Sequence, residues 1–239
     1  MIRFRPQVAW SYLLELLPYL RVTLAYTVGA LLIGLVFGAL LAAAKMSRHK
    51  ILRGFASSYT AILRSIPSIV LMFLVYYAVP ALAKQWFGLT VNKENVLGFT
   101  ILALGLLNIA VMSETLRSAY QSVPKGQYEG AVSNGISPAQ AVIRIILPQA
   151  LLIAIPNIGN SVVRLVKEGS LAYTIGLVDI MGRAYIADGK TLHNNMFEIY
   201  ICLAAVYWLL SILIDWIFRL AERGLTVDRV TAKLRKEAA

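Results

Sequence analysis

Cysteine is almost absent from this chain. Cys202 stands alone, which excludes an internal disulfide framework and any cysteine-based metal site. Histidine is nearly as scarce: His49 and His193 lie far apart with no third partner, so neither a metal centre nor a catalytic triad is supported. A phosphate-binding loop is also missing. The run "ADGKT" at 187–191 contains Gly-Lys-Thr, but Ala184 stands where such a loop needs its first glycine, so no nucleotide-hydrolysing site is expected. The first apolar run is broken by Glu15, Pro18 and Arg21 and ends in no small-residue cleavage pattern. It reads as an interfacial helix leading into a membrane span rather than as a signal peptide. No internal repeat and no low-complexity segment is visible.

What the chain does have is apolar length. Hydrophobic residues make up 59% of 239 and the mean hydropathy is +0.69, well above a soluble domain. Lys and Arg outnumber Asp and Glu by 23 to 12. In so apolar a chain, basic clusters in loops and tails point to anionic lipid headgroups rather than nucleic acid. Five stretches approach the roughly 20 residues that cross a bilayer: 23–44, 65–83, 96–113, 145–163 and the shorter 199–214, which Arg219 completes by snorkelling. The expected fold is an all-α integral membrane domain over 1–239 with five transmembrane helices. Basic residues set its orientation. Lys45, Arg48, Lys50 and Arg53 crowd the loop after the first span without an acid, and the tail carries Arg219, Arg223, Arg229, Lys233, Arg235 and Lys236. With Arg117, Lys125 and Arg144 between the third and fourth spans, these place the C-terminus in the cytoplasm. The N-terminus, with Arg3, is then outside. Tyr207, Trp208 and Trp216 read as interfacial anchors.

One polar segment interrupts this pattern, "EGAVSNGISPAQAVIRIILPQA" from Glu129. Ser137-Pro138-Ala139-Gln140 starts a helix with a capping residue, proline in the first turn and glutamine three residues on. Asn134-Gly135 stops the helix before it, and Pro124 opens that earlier piece. The segment, about 124–147, is therefore expected to form two short helices with a sharp bend. Gly130, Ala131, Ser133 and Gly135 would present a small exposed face, and Glu129 would meet the positive end of its helix. From these residues alone, an amphipathic connector lying on the membrane is as good a reading as a docking element.

The order Glu129, Gly130-Ala131, Gly135, Ile145, Leu147-Pro148 resembles the signature of permeases of ATP-binding-cassette importers. Upstream "SETLRSAYQSVPKGQYEGA" and downstream "LPQALLIAIPNIGNSVVRLVKEGSLA" look like the polar amino-acid branch, and Arg64-Ser-Ile-Pro67 resembles its Arg-Gly-Thr-Pro. "GSLAYTIGLVDIMGRAY" is most similar to cystine permeases. Gly130 departs from the usual alanine, weakening its helix by about 1 kcal/mol, and Ile66 replaces a threonine hydroxyl. The resemblance implies a bacterial inner-membrane subunit whose coupling helices, through Glu129, Gly130, Ala131, Gly135, Ser137 and Pro138, dock on separate ATPases. Those partners would hold ATP and magnesium, leaving this chain without a cofactor. A second permease chain, identical or related, and an extracytoplasmic amino-acid-binding protein are implied as well.

Polar residues at membrane depth mark the candidate pathway. Arg64 is placed at the cytoplasmic mouth of the second span, and Asn108 lies inside the third, either lining a path or bonding a neighbouring span. Glu114 and Arg117 are spaced as a helical ion pair. Pro148, Pro156 and Gly159 break the fourth span, where Asn157, Asn160 and Ser161 cluster below Arg164, Lys167, Glu168 and Ser170. This mixed set could meet both the carboxylate and the ammonium of an amino acid. A polar hinge packed against a partner permease fits the same residues. Gly34-x-x-x-Gly38 is given little weight, since such pairs arise by chance in an Ala/Gly-rich span. The rival function is a self-contained secondary transporter or channel, whose inverted repeat is not visible.

Overall fold

The computed structural model describes residues 5 to 237, with side chains as far as residue 224. Arg3 and the side chains of Arg229, Lys233, Arg235 and Lys236, used in the charge reading, lie outside the described residues. Among the described residues the chain is helical throughout, with no strand. Five helical segments are long and apolar enough to cross a membrane: Pro6–Met46, Ser68–Phe87, Val96–Ser122, Pro138–Ile175 and Met196–Gly224. Each runs past the C-terminal end of the uncharged stretch that marks it, because flanking charged residues remain helical. The second begins at Ser68 rather than at 65, because Ile66-Pro67 breaks the helix there.

The first segment is α1 (Pro6–Leu16) joined to α2 (Leu20–Met46) by a 3-10 turn at Leu17–Tyr19, where Pro18 denies the helix a hydrogen-bond donor. α1 is not isolated from the rest of the bundle. It packs on the start of α10 (Met196–Glu237), with Ala9 and Leu16 buried against Ile199, Cys202 and Leu203. Arg5 pairs with Glu198 at 3.0 Å, and Cys202 donates to the Ala9 carbonyl at 3.0 Å.

The loop after α2 shrinks to Ser47–His49, because α3 (Lys50–Ser65) follows at once. Serines and a tyrosine dilute its apolar residues below what a span requires. Yet Ala56 and Thr60 fall on one buried face while Ile51, Phe55 and Ile62 are exposed, an amphipathic pattern. Pro67 ends α3, since the residue before proline is pushed out of the helical region, and α4 (Ser68–Phe87) begins. Lys45 is a second correction: counted as a loop cation, it lies buried in the last turn of α2.

The centre of the molecule is the pair α2 and α5 (Val96–Ser122), with α8 (Leu147–Gly169) packed against both. Gly34, Gly38, Ala42 and Lys45 form one buried face of α2, while Val28, Leu32, Val36 and Leu40 form the exposed one. The spacing given little weight above is therefore the seam of the fold. A Cβ on Gly38 would lie 2.6 Å from the Cβ of Met112 and 3.2 Å from the Ile109 carbonyl. A Cβ on Gly34 would overlap the Asn108 amide. The glycines admit a backbone approach that no larger residue allows. Tyr26, Ala30, Met72, Leu104 and Leu165 fill the core around this seam.

Beyond α8 the chain stays folded. A 3-10 turn spans Ser170–Ile175, Gly176 takes φ 95°, and α9 (Ile180–Lys190) follows. The fully buried Asp179 caps α9, accepting the Gly182 N–H at 2.9 Å and the Tyr26 hydroxyl at 3.2 Å. Burial pushes its carboxyl up to about 6, against the pull of those two donors.

Two outcomes follow for stability in detergent. Gly38→Val should cost about 1–3 kcal/mol by overpacking, while Gly54→Ala, whose Cβ meets nothing within 4 Å in α3, should be neutral or stabilising; thermal midpoints decide. For Asp179 the folded value exceeds the unfolded one, so its stabilisation is complete below about pH 4 and is lost by about pH 6, a swing of about 3 kcal/mol. Asp179→Asn should flatten that part of the stability profile; an unchanged slope would show that other groups cause it.

Candidate functional site

The interrupting segment is built as α6 (Lys125–Ser133), a bend, and a four-residue α7 (Pro138–Ala141). Asn134 closes α6, its side chain donating to the Gly130 carbonyl at 2.8 Å, and the Ile136 N–H reaches Ala131 O at 3.1 Å. Gly135 takes φ 82°, the left-handed conformation expected of it. Ser137 accepts the Gln140 N–H at 3.4 Å, and Pro138 sits in the first turn. The second helix does not stop. A π turn at Val142–Ile146 carries it into α8, with the Leu147 N–H reaching back to Val142 O. Pro148 just beyond has no N–H to offer the carbonyl four residues earlier, which suits a widened turn there.

Glu129, Gly130, Gly135, Ser137 and Pro138 are all exposed. Ala131 is not: it is buried, turned away from the face it was expected to share. Glu129 is the fifth residue of α6, beyond its first turn, so the helix-dipole role assigned to it does not apply. A groove of about 410 Å³ runs beside this face, lined by Tyr120, Gln121, Pro124, Lys125, Tyr128 and Glu129. Val123, Ile146 and Ala150 pack beneath it and join the segment to the ends of α5 and α8.

The polar residues of the fourth span do not form one cluster. Neighbours on a helix point about 100° apart, and the structure sends them to different sides. Ser161 is buried and donates to Asn108 Oδ1 at 2.7 Å, while Asn108 Nδ2 donates to the Ala30 carbonyl at 3.3 Å. Arg164 Nη2 reaches Ser161 Oγ at 3.0 Å and Asn108 Oδ1 at 3.3 Å. Asn108, fully buried, thus ties α2, α5 and α8 together. Asn160 instead lines a groove of about 280 Å³ with Asp215 and Arg219 of α10. Asn157 and Lys167 are exposed, and Ser170 donates to the Lys167 carbonyl at 2.6 Å.

Arg64 is exposed near the C-terminal end of α3. It lines a cavity of about 190 Å³ with Leu107, Val111, Arg164 and Glu168, beside the middle of α5. Glu114 and Arg117 pair at 2.7 Å as their spacing implied. The Glu114 carboxylate also takes Lys45 at 2.6 Å, and Lys45 donates to Ser113 at 3.0 Å. That contact was missed, although Gly34, Gly38, Ala42 and Lys45 repeat at helical spacing along one face.

Comparison with known proteins adds the family. Residues 34–227 match the binding-protein-dependent transport system inner membrane component. The L-cystine transport system permease protein TcyL of Bacillus subtilis is 39% identical over 208 residues, covering 86% of this chain and 84% of that one. The putative glutamine transport system permease protein GlnP of Rickettsia prowazekii is 35% identical over 207 residues, 87% and 91% of the two chains. A solved structure of an amino acid ABC transporter with histidines superposes with a TM-score of 0.79 at 30% identity, over 94% of this chain and 99% of that one. The inward-facing MetNI methionine transporter, at 21% identity and a TM-score of 0.66, shares the fold. Five spans, the exposed bent segment and these matches agree: the chain belongs to the binding-protein-dependent inner-membrane transport family and is a permease subunit of an amino-acid ATP-binding-cassette importer.

Proposed function

We propose that this chain forms the membrane path for uptake of a polar amino acid, with L-cystine as the first candidate, driven by separate ATPase subunits that dock on α6 and α7. The observation that carries the docking reading is the exposed bend itself, with Gly130, Gly135, Ser137 and Pro138 all exposed and a groove next to it at Glu129. Small residues there let a partner backbone approach closely. The π turn gives the push a direct line into α8, since docking segment and span are one continuous helix. ATP and magnesium belong to the partner subunits. An extracytoplasmic binding protein delivers the amino acid, the N-terminus lies outside and the C-terminus in the cytoplasm. A second permease chain covers the exposed polar residues Asn157, Asn160 and Lys167 on α8, which lipid would leave unsatisfied. The relative's cystine substrate and the "GSLAYTIGLVDIMGRAY" resemblance support the choice of cystine.

Gly130→Arg tests the docking. Nothing lies within 4 Å of a Cβ at Gly130, so the arginine projects outward without disturbing the fold. At Gly135, by contrast, a side chain would strain the left-handed backbone by about 1–2 kcal/mol. Wild type should co-purify with its ATPase, and Gly130→Arg should lose it while keeping its thermal midpoint. An ATPase held equally by both would remove this face from the interface.

A further inference from the structure

Asp179 is fully buried and makes no ion pair among the described residues. Its Oδ1 accepts the Gly182 N–H at 2.9 Å. Its Oδ2 lies 3.2 Å from the Tyr26 hydroxyl, and the same hydroxyl lies 3.2 Å from the Val166 carbonyl. That carbonyl is among the last four of α8, which a helix leaves short of partners of its own. Tyr26 is itself fully buried with its ring wedged against Gly169, so the hydroxyl stays between its two acceptors. A phenol carries one proton. While Asp179 is ionised, Oδ2 and Val166 compete for it and one of them goes without. No neighbouring cation relieves the shortage. Arg183 of α9 is turned to Glu15 of α1 over the Tyr19 ring, and Glu198 of α10 holds Arg5. Arg21 of α2 and Lys167 of α8 are exposed. The remaining titratable neighbours are phenols: Tyr173 of the 3-10 turn against Tyr185 of α9, and Tyr207 of α10, whose buried hydroxyl has no partner.

We propose that Asp179 is a proton-binding site, and that the bound proton latches α9 to α2 and to the end of α8. A proton taken from water onto Oδ2 turns that oxygen into a donor toward the Tyr26 oxygen. The Tyr26 O–H is then released to Val166, while Oδ1 keeps the Gly182 N–H. Every group in the chain from Asp179 through Tyr26 to Val166 is satisfied, and no other residue changes its proton count. Burial works in the same direction, since it favours the neutral carboxyl and brings its value up to about 6. Gly176 and Val178 are exposed on the connection that leads to Asp179, so solvent lies close by. In the ionised state a charge without a counter-ion stays inside, and the head of α9 is held less firmly. The latched end of α8 is the one opposite the π turn and the bent segment. The latch needs neither an ATPase nor a substrate, and it stands apart from the import reading.

The test uses the full chain in lipid nanodiscs and two readouts. Infrared difference spectra follow the C=O band of a protonated carboxyl across a pH titration. Hydrogen exchange, corrected for its intrinsic pH dependence, follows the first turn of α9. Wild type should show a carboxyl band with a midpoint near about 6, and Asp179→Asn should lack it. Protection of the first turn of α9 should fall about tenfold from about pH 5 to about pH 7. Asp179→Asn copies the protonated state, because its Oδ1 accepts the Gly182 N–H and its Nδ2 donates to Tyr26. It should therefore be as protected at both pH values as wild type is in acid. Tyr26→Phe deprives the carboxylate of a donor and should move the midpoint up by about one pH unit. A merely structural tyrosine would leave that midpoint in place. The proposal is overturned if Asp179→Asn removes no titrating band, or if protection of α9 is the same at both pH values. An unmoved midpoint in Tyr26→Phe, or an Asp179→Asn chain that does not fold, overturns it too.

Discussion

Asn108 can reach the Ala30 carbonyl only because Gly34 has no side chain. A single Cβ at Gly34 would occupy the place of the Asn108 amide, and most of the central packing depends on that vacancy. The bond to Ala30 fixes the amide so that its oxygen faces α8, where Ser161 and Arg164 both donate to it. One side chain therefore sets the distance between α2 and α5 and orients α8 against them. Because a buried amide that loses its partners costs far more than a solvated one, the three helices pack as one body.

Above and below this level the same helices are fastened again. Near the N-terminal end of α2, the Tyr26 hydroxyl meets Val166 and Asp179, and its ring lies where a Cβ of Gly169 would be. Near the C-terminal end of α2, Lys45 joins Ser113 and Glu114. Three polar contacts at three depths leave little freedom within the α2–α5–α8 body. α3 and α4 meet at Ile66-Pro67, where the helix is interrupted, and Arg64 stands just before that break. The bent segment and the cavity are thus attached to the same body: α7 leads into α8 through the π turn, and α8 carries Arg164 and Glu168.

The spans were legible because an uncharged stretch of some 20 residues has few alternatives to crossing a bilayer. The bend at Gly135 was legible for a similar reason, since asparagine, glycine, serine and proline in that order admit few conformations. Other features depended on which way a side chain turns. Ala131 and Gly130 are adjacent, yet one is buried and the other exposed. Asn160 and Ser161 read as a single cluster, and the helix sends them to opposite neighbours. Lys45 was taken for a loop cation because charge alone suggested it, although its spacing from Gly38 placed it on the packed face. α3 was missed because it is too polar for a span, and its amphipathic face was not sought within a basic loop.

The claim on which this account rests is that transport through this chain draws its energy from an attached ATPase. Uptake of radiolabelled L-cystine into proteoliposomes tests it most directly, comparing the chain with its ATPase and binding protein against the chain alone. The account predicts uptake that requires all three components and ATP on the side of the docking segment. It predicts none from the chain alone under an imposed proton or sodium gradient. Gradient-driven uptake by the isolated chain, unaffected by ATP, would contradict it and establish a self-contained transporter instead.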